Sequence, residues 1–126
     1  MRYLLDTNAL VYVLCAPEKL SDEARRIAHE EDDLWVSIAS LWEIAIKQSL
    51  GKIHLAHSMQ DVEIQCHELQ ISILPIDARQ LELIKSLPDI HRDPFDRLII
   101  AQAQEGDFAL VTSDKIIPMY PVRTVW

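Results

Sequence analysis

Glycine is nearly absent: the 126 residues contain only Gly51 and Gly106. Two glycines cannot build the three-glycine fingerprint of a dinucleotide site or a Gly-rich phosphate loop. Any phosphate chemistry here has to use side chains or metal. Cysteine is equally scarce. Cys15 and Cys66 lack a C-x-x-C spacing and lie among apolar neighbours in helical stretches. They read as reduced, buried thiols of a cytoplasmic protein, not as a disulfide or a nucleophile. No run approaches the ~18 uninterrupted apolar residues of a membrane span. The apolar N-terminal stretch is cut by Asp6, which argues against a signal peptide. Basic residues are in deficit: 12 Lys and Arg against 20 Asp and Glu give a net charge of −8. That disfavours a broad basic surface for gripping nucleic acid.

What is present suits a folded α/β protein. Hydrophobic residues make up 49% of the chain, and its length fits one domain, residues 1–126, with a core that needs no disulfide. Short apolar runs at 3–5, 34–37, 71–76, 108–112 and 122–125 read as strands. Residues 7–14, 21–31, 39–50, 58–69, 77–87 and 94–105 read as helices. Ser21 is a capping residue, Pro94 a first helical residue, and Gly51 and Gly106 stand at helix ends. Strands that are continuous apolar runs and alternate with helices predict a parallel sheet covered on both faces. The expectation is a three-layer α/β/α domain with about five strands.

In such sheets, ligands bind beyond the carboxyl ends of the strands. Asp6 follows the first strand and Asp114 the fourth, so both belong to one edge if those strands are parallel. Each alone could be a helix cap or a turn residue. Glu43 is more specific. On the helix 39–50, Ser40, Glu43 and Lys47 form a thin polar strip within a largely apolar surface. A buried charge there must be paired or coordinate something, and an internal Glu43–Lys47 pair is the simpler alternative. In the segment His91-Arg92-Asp93-Pro94-Phe95-Asp96-Arg97, Asp93 is placed as a cap. Asp96 instead shares a face with Ile99, Ile100 and Ala103, which suits a ligand. Convergent carboxylates must be protonated or hold hard cations such as Mg²⁺ or Mn²⁺. Thr7, Asn8, Thr112 and Ser113 are short polar residues placed to support them. The histidines His29, His54, His57, His67 and His91 are scattered without zinc spacing.

These residues together resemble the PIN-domain family, and within it the VapC-type toxins of toxin–antitoxin pairs. The resemblance rests on Leu4-Leu5-Asp6-Thr7-Asn8, on Ser37 to Lys47, on Gly51-Lys52, on the segment 91–97, on Ile100-Ala101-Gln102-Ala103 and on Val111-Thr112-Ser113-Asp114. It covers nearly the whole chain. It implies a metal-dependent endoribonuclease in which Asp6, Glu43, Asp96 and Asp114 hold one or two Mg²⁺ or Mn²⁺ ions, with metal-activated water attacking an RNA phosphodiester. Thr7, Asn8, Ser40, Asp93, Thr112 and Ser113 would surround them. Many members with this segment carry His where Asn8 stands. Lys47, Lys52, Arg92 and Arg97 are candidates for contacts to phosphate, the acids or an antitoxin. A cognate antitoxin, a homodimer and a cytoplasmic location with no membrane association are implied as partners and place. Two alternatives stand beside this reading. A catalytically inactive PIN-like binding module is disfavoured because all four acids are present. A phosphoacceptor signalling domain needs an Asp ending the middle strand, and 71–75 offers none before Asp77. Four acids gathered in one pocket would account for half of the net charge of −8.

Overall fold

The computed structural model describes residues 1–126. Five parallel strands run in the order β3-β2-β1-β4-β5. They are β1 (Arg2–Leu5), β2 (Leu34–Ser37), β3 (Ile71–Leu74), β4 (Phe108–Val111) and β5 (Thr124–Val125). Six α-helices connect them: α1 (Thr7–Cys15), α2 (Asp22–Glu30), α3 (Ile38–Ser49), α4 (Met59–Glu68), α5 (Ala78–Ile84) and α6 (Pro94–Gly106). The expected three-layer architecture is the one observed.

Alternation along the central strands divides the core into two halves. Tyr3, Leu5, Ala109 and Val111 point to one face and pack with Ala9, Ile27, Ile44 and Val62 from α1 to α4. Leu4, Phe108 and Leu110 point to the other and pack with Ile99, Ile100 and Ala103 of α6. Both faces are covered, which is why these strands carry no polar alternation. Chain order runs from β1 outward to β2 and β3 and then returns to β4 on the other side of β1. The switch point therefore lies between β1 and β4, where Leu5 pairs with Val111.

Several boundaries differ from the sequence expectation for local physical reasons. The third strand ends at Leu74, before Pro75, which has no N–H to donate. Helix α5 ends at Ile84, since Lys85, Ser86 and Leu87 close tighter i→i+3 bonds to Glu82, Leu83 and Ile84. The fifth strand shrinks to Thr124–Val125. The middle strand is β1, with Asp6 directly after it, while β3 is an edge. The objection to a phosphoacceptor drawn from 71–75 therefore does not hold. Cys15 is exposed rather than buried, because α1 buries only Thr7, Ala9 and Leu10. Cys66 is buried, and burial pushes its thiol up to about 11.

Gly106 ends α6 by its lack of volume, not by a left-handed backbone. The left-handed residue is Asp107, with φ of 54°. A Cβ on Gly106 would lie 2.3 Å from Cε2 of Phe108, whose ring fills the space. Gly106→Ala is expected to lower stability by about 1–3 kcal/mol, the usual range for overpacking. A urea unfolding midpoint equal to wild type would show that the Phe108 ring yields freely.

Candidate active site

Each predicted acid is positioned by a local element. Asp6 leaves β1 as the N-cap of α1, its Oδ1 accepting from Ala9 N at 2.8 Å. Asp6 N donates to Val111 O at 3.1 Å, so β1 and β4 stay paired up to the acid. The next residue of β4's chain, Thr112, donates its hydroxyl to Asp6 Oδ2 at 2.5 Å. Thr112 Oγ1 also accepts from Asp114 N at 3.0 Å, which turns the Asp114 segment toward the same edge. Asp114 Oδ1 in turn accepts from Ile116 N at 2.7 Å and Ile117 N at 3.1 Å.

Helix α3 starts directly after β2, with the Ser37 hydroxyl accepting from Ala39 N at 3.0 Å. That junction brings the polar strip of α3 to the carboxyl edge of the sheet. Glu43 is buried, and its Oε1 accepts from Thr7 Oγ1 at 2.6 Å. Thr7 Oγ1 also lies 3.0 Å from Ser40 Oγ. Glu43 Oε2 pairs with Lys47 Nζ at 2.8 Å, so the i,i+4 pair and the convergent acid are both present. Asp93 caps α6, its Oδ1 accepting from Phe95 N at 2.8 Å and Asp96 N at 3.1 Å. Asp96, one turn in, lines the same pocket. Its Oδ2 lies 3.1 Å from His91 Nε2.

These side chains line one pocket of about 270 Å³ with no apolar residue in its wall. The wall is Asp6, Thr7, Asn8, Glu43, Lys47, His91, Asp93, Asp96 and Asp114. All four predicted acids are there, as are Thr7, Asn8, Asp93 and Lys47. Ser40 and Thr112 stand behind the wall, buried, and hold Thr7 and Asp6. Four expected residues do not reach it. Ser113, Lys52 and Arg92 are exposed and outside the lining. Arg97 turns away from the acids. It donates to Pro88 O at 2.9 Å and Ile84 O at 3.3 Å, and to Tyr120 Oη at 3.3 Å.

Two residues that shape the pocket escaped sequence reasoning. His91 contacts both Asp96 and Asp114 Oδ2, the latter at 3.3 Å. Tyr120 is buried, and its hydroxyl accepts from Ile90 N at 3.2 Å and His91 N at 2.6 Å, fixing the loop that carries the imidazole. The only signal for His91 was its place in the 91–97 motif. Tyr120 gave none.

The electrostatics follow from the supports. Burial raises the Asp6 carboxyl, and the hydrogen bonds from Thr112 and Ala9 oppose it. Burial acts on Asp114 too, but the N–H groups of Ile116 and Ile117, with His91, outweigh it and hold the carboxyl below its ordinary value. Asp96 receives no backbone N–H. Burial first, then the Asp93 carboxylate, push it up to about 7, against the pull of His91. Its bond to Glu43 raises the Lys47 ammonium. Five carboxylates, including Asp93, thus face one lysine. An all-oxygen set of this kind fits a hard divalent cation.

The Asp96 shift has a pH consequence. Between the ordinary aspartate value of ~3.9 and about 7, the folded chain holds a proton that the unfolded chain has released. This contribution to stability is complete below the lower value and is lost as pH rises through the upper one. Asp96→Asn removes it. In EDTA, the variant is expected to melt several degrees above wild type at pH 8, with the gap narrowing toward pH 4. A gap independent of pH would contradict the assignment to Asp96.

Comparison with known proteins places the chain in a family. Residues 3–121 match the family profile described as PIN domain, a span that contains all four acids. Ribonuclease VapC22 of Mycobacterium tuberculosis is 32% identical over 130 aligned positions, covering 98% of this chain and 97% of the relative. Among solved structures, VapBC2 from Rickettsia felis bound to a promoter DNA fragment superposes with a TM-score of 0.73 at 19% identity, covering 99% of this chain and 98% of that one. DNA-bound VapBC from Salmonella typhimurium gives 0.68 at 16% identity, covering 99% and 97%. At those identities the structures speak for the fold. The profile and the ribonuclease relative speak for the lineage, and the chain belongs to the PIN-domain family.

Proposed function

We propose that residues 1–126 form one PIN domain that acts as the endoribonuclease toxin of a toxin–antitoxin pair in the cytoplasm. Asp6, Glu43, Asp96 and Asp114 would hold one or two Mg²⁺ or Mn²⁺ ions. The observation that carries the reading is their convergence, from β1, α3, α6 and the end of β4, on a pocket without apolar lining. The cation, when bound, supplies the Lewis acidity that polarises a phosphodiester oxygen and activates water. The chain's own groups do the rest. Thr112 and Ala9 N fix both oxygens of Asp6. Thr7 fixes Glu43, leaving Lys47 at the mouth as the one ammonium able to meet a phosphate oxygen. Asn8, exposed on the pocket wall, presents an amide to the RNA.

RNA cleavage is expected to require added Mg²⁺ or Mn²⁺ and to fall to background in Asp6→Ala and Glu43→Ala proteins that keep the wild-type circular dichroism spectrum. Activity that survives in EDTA, or in both variants, would defeat this reading. The inactive-module alternative predicts no cleavage by the wild-type chain under any metal.

The partner reading has its own support. Ile38, Trp42 and Ile46 on α3 and Leu50 at its C-cap recur every four residues and are 37%, 59%, 36% and 61% exposed. Trp42 meets Phe95 edge-on at 5.1 Å, so this apolar stripe runs to the helix that carries Asp96. Exposed apolar patches of this kind mark protein contacts. A cognate antitoxin lying along the stripe would reach the pocket mouth, and a second copy would complete a homodimer elsewhere. Trp42→Ala is expected to weaken inhibition by the antitoxin about tenfold or more, as for an aromatic anchor, while cleavage stays within about twofold. Unchanged inhibition in a titration of cleavage would remove the stripe from the contact.

A further inference from the structure

His91 has two possible relations to a cation in the pocket. Its Nε2, Asp96 and Asp114 each offer an atom within 4.8 Å of the others, a spacing open to a shared metal ion. The second ring nitrogen decides between a ligand and a donor. Asp93 N donates to His91 Nδ1 at 3.2 Å. A backbone N–H can only donate, so Nδ1 presents its lone pair and the ring proton sits on Nε2. A protonated Nε2 has no lone pair for a metal. Metal-ligating histidines show the opposite arrangement, with the far ring nitrogen donating to a carboxylate or carbonyl. Turning the ring over would set a carbon against Asp93 N and withdraw Nε2 from both acids. The loop itself is held, since Tyr120 Oη accepts from Ile90 N and His91 N.

We infer that His91 is a positioning residue and not a metal ligand: its Nε2–H bridges Asp96 Oδ2 and Asp114 Oδ2 and sets their spacing. Asp93 then does two things. Its carboxylate caps α6, and its N–H fixes the imidazole tautomer. The inference rests on the proposed cation site, but its first half concerns the metal-free chain alone.

Long-range ¹H–¹⁵N correlation spectra of the full chain, ¹⁵N-labelled at histidine, read the tautomer directly. They are recorded at about pH 8, above the ordinary imidazole value of ~6.5. The His91 signals are identified by their loss in His91→Gln. The Nε2–H pattern is expected in EDTA and is expected to persist in excess Mg²⁺. An Nδ1–H pattern in EDTA would overturn the inference, and so would transfer of the proton to Nδ1 when Mg²⁺ is added. Calorimetric titration with Mn²⁺ gives the second reading. His91→Ala should weaken Mn²⁺ binding by about 10–100-fold, the usual cost of losing a group that orients a ligand. His91→Gln, whose amide N–H can replace Nε2–H, should recover most of it. An His91→Ala affinity equal to wild type would overturn the positioning role. Absence of any Mn²⁺ heat from the wild type would instead remove the cation site, while the spectrum in EDTA still decides the tautomer.

Discussion

Carboxylates repel one another, and this pocket gathers five of them around a single lysine. The fold tolerates the arrangement because four of the acids also hold something else in place. Asp6 and Asp93 cap helices, Asp114 caps a turn, and Glu43 is tied to Thr7 and Lys47. Backbone N–H groups and hydroxyls thereby repay part of the desolvation of each charge. Asp96 is the exception. It has only the imidazole, and burial with the Asp93 carboxylate pushes it up to about 7. A cation stabilises such a pocket most through its least supported acid. The same contacts keep the acids converged in the metal-free chain.

Much of this was legible in the sequence, and the reasons are particular. Asp6 and Asp114 follow buried apolar strands, and strand ends of a parallel sheet share an edge. Asp96 stood out because an acid among Ile99, Ile100 and Ala103 needs a reason. Glu43 stood out because its strip on α3 is so thin. Asp6, Asp114 and Glu43 were each read both as a cap, turn residue or ion pair and as a ligand, and the structure supplies that local role while also turning the side chain into the pocket. His91 and Tyr120 were not legible. Their contacts span 23 and about 30 residues of chain and depend on how two loops settle against each other. Arg97 misled for the converse reason. An arginine one residue past an acid suggested phosphate, but three oxygen acceptors in the 84–88 turn and on Tyr120 claim its guanidinium first.

Helix α3 shows how far a helical wheel reaches. The wheel identifies a polar strip that must be buried with partners, and Ser40, Glu43 and Lys47 meet that description. It also implies that the apolar remainder is covered. Leu41 and Ile44 are buried in the core, yet Ile38, Trp42, Ile46 and Leu50 are left partly or largely in solvent. Periodicity counts apolar faces without saying which of them the same chain covers. A helix with one polar strip and two apolar faces is oversupplied for a monomer, and the excess lies beside the pocket.

The net charge of −8 takes its meaning from where the acids are. A polyanion approaching this pocket meets five carboxylates and one ammonium, so direct contact is unfavourable while the acids are ionised and bare. Under the proposed reading, divalent cations reverse that local sign, and binding of RNA and of the cation become linked. Each then strengthens the other by the same factor. The shortage of glycine points to the same dependence. With no backbone cradle for phosphate, the chain has no second way to neutralise it at the reaction centre. Lys47 alone is too little, since its charge is already committed to Glu43 at 2.8 Å. On that reading, affinity for the substrate is drawn from the ion and from surfaces outside the pocket, and the acids would serve RNA only by first serving the metal.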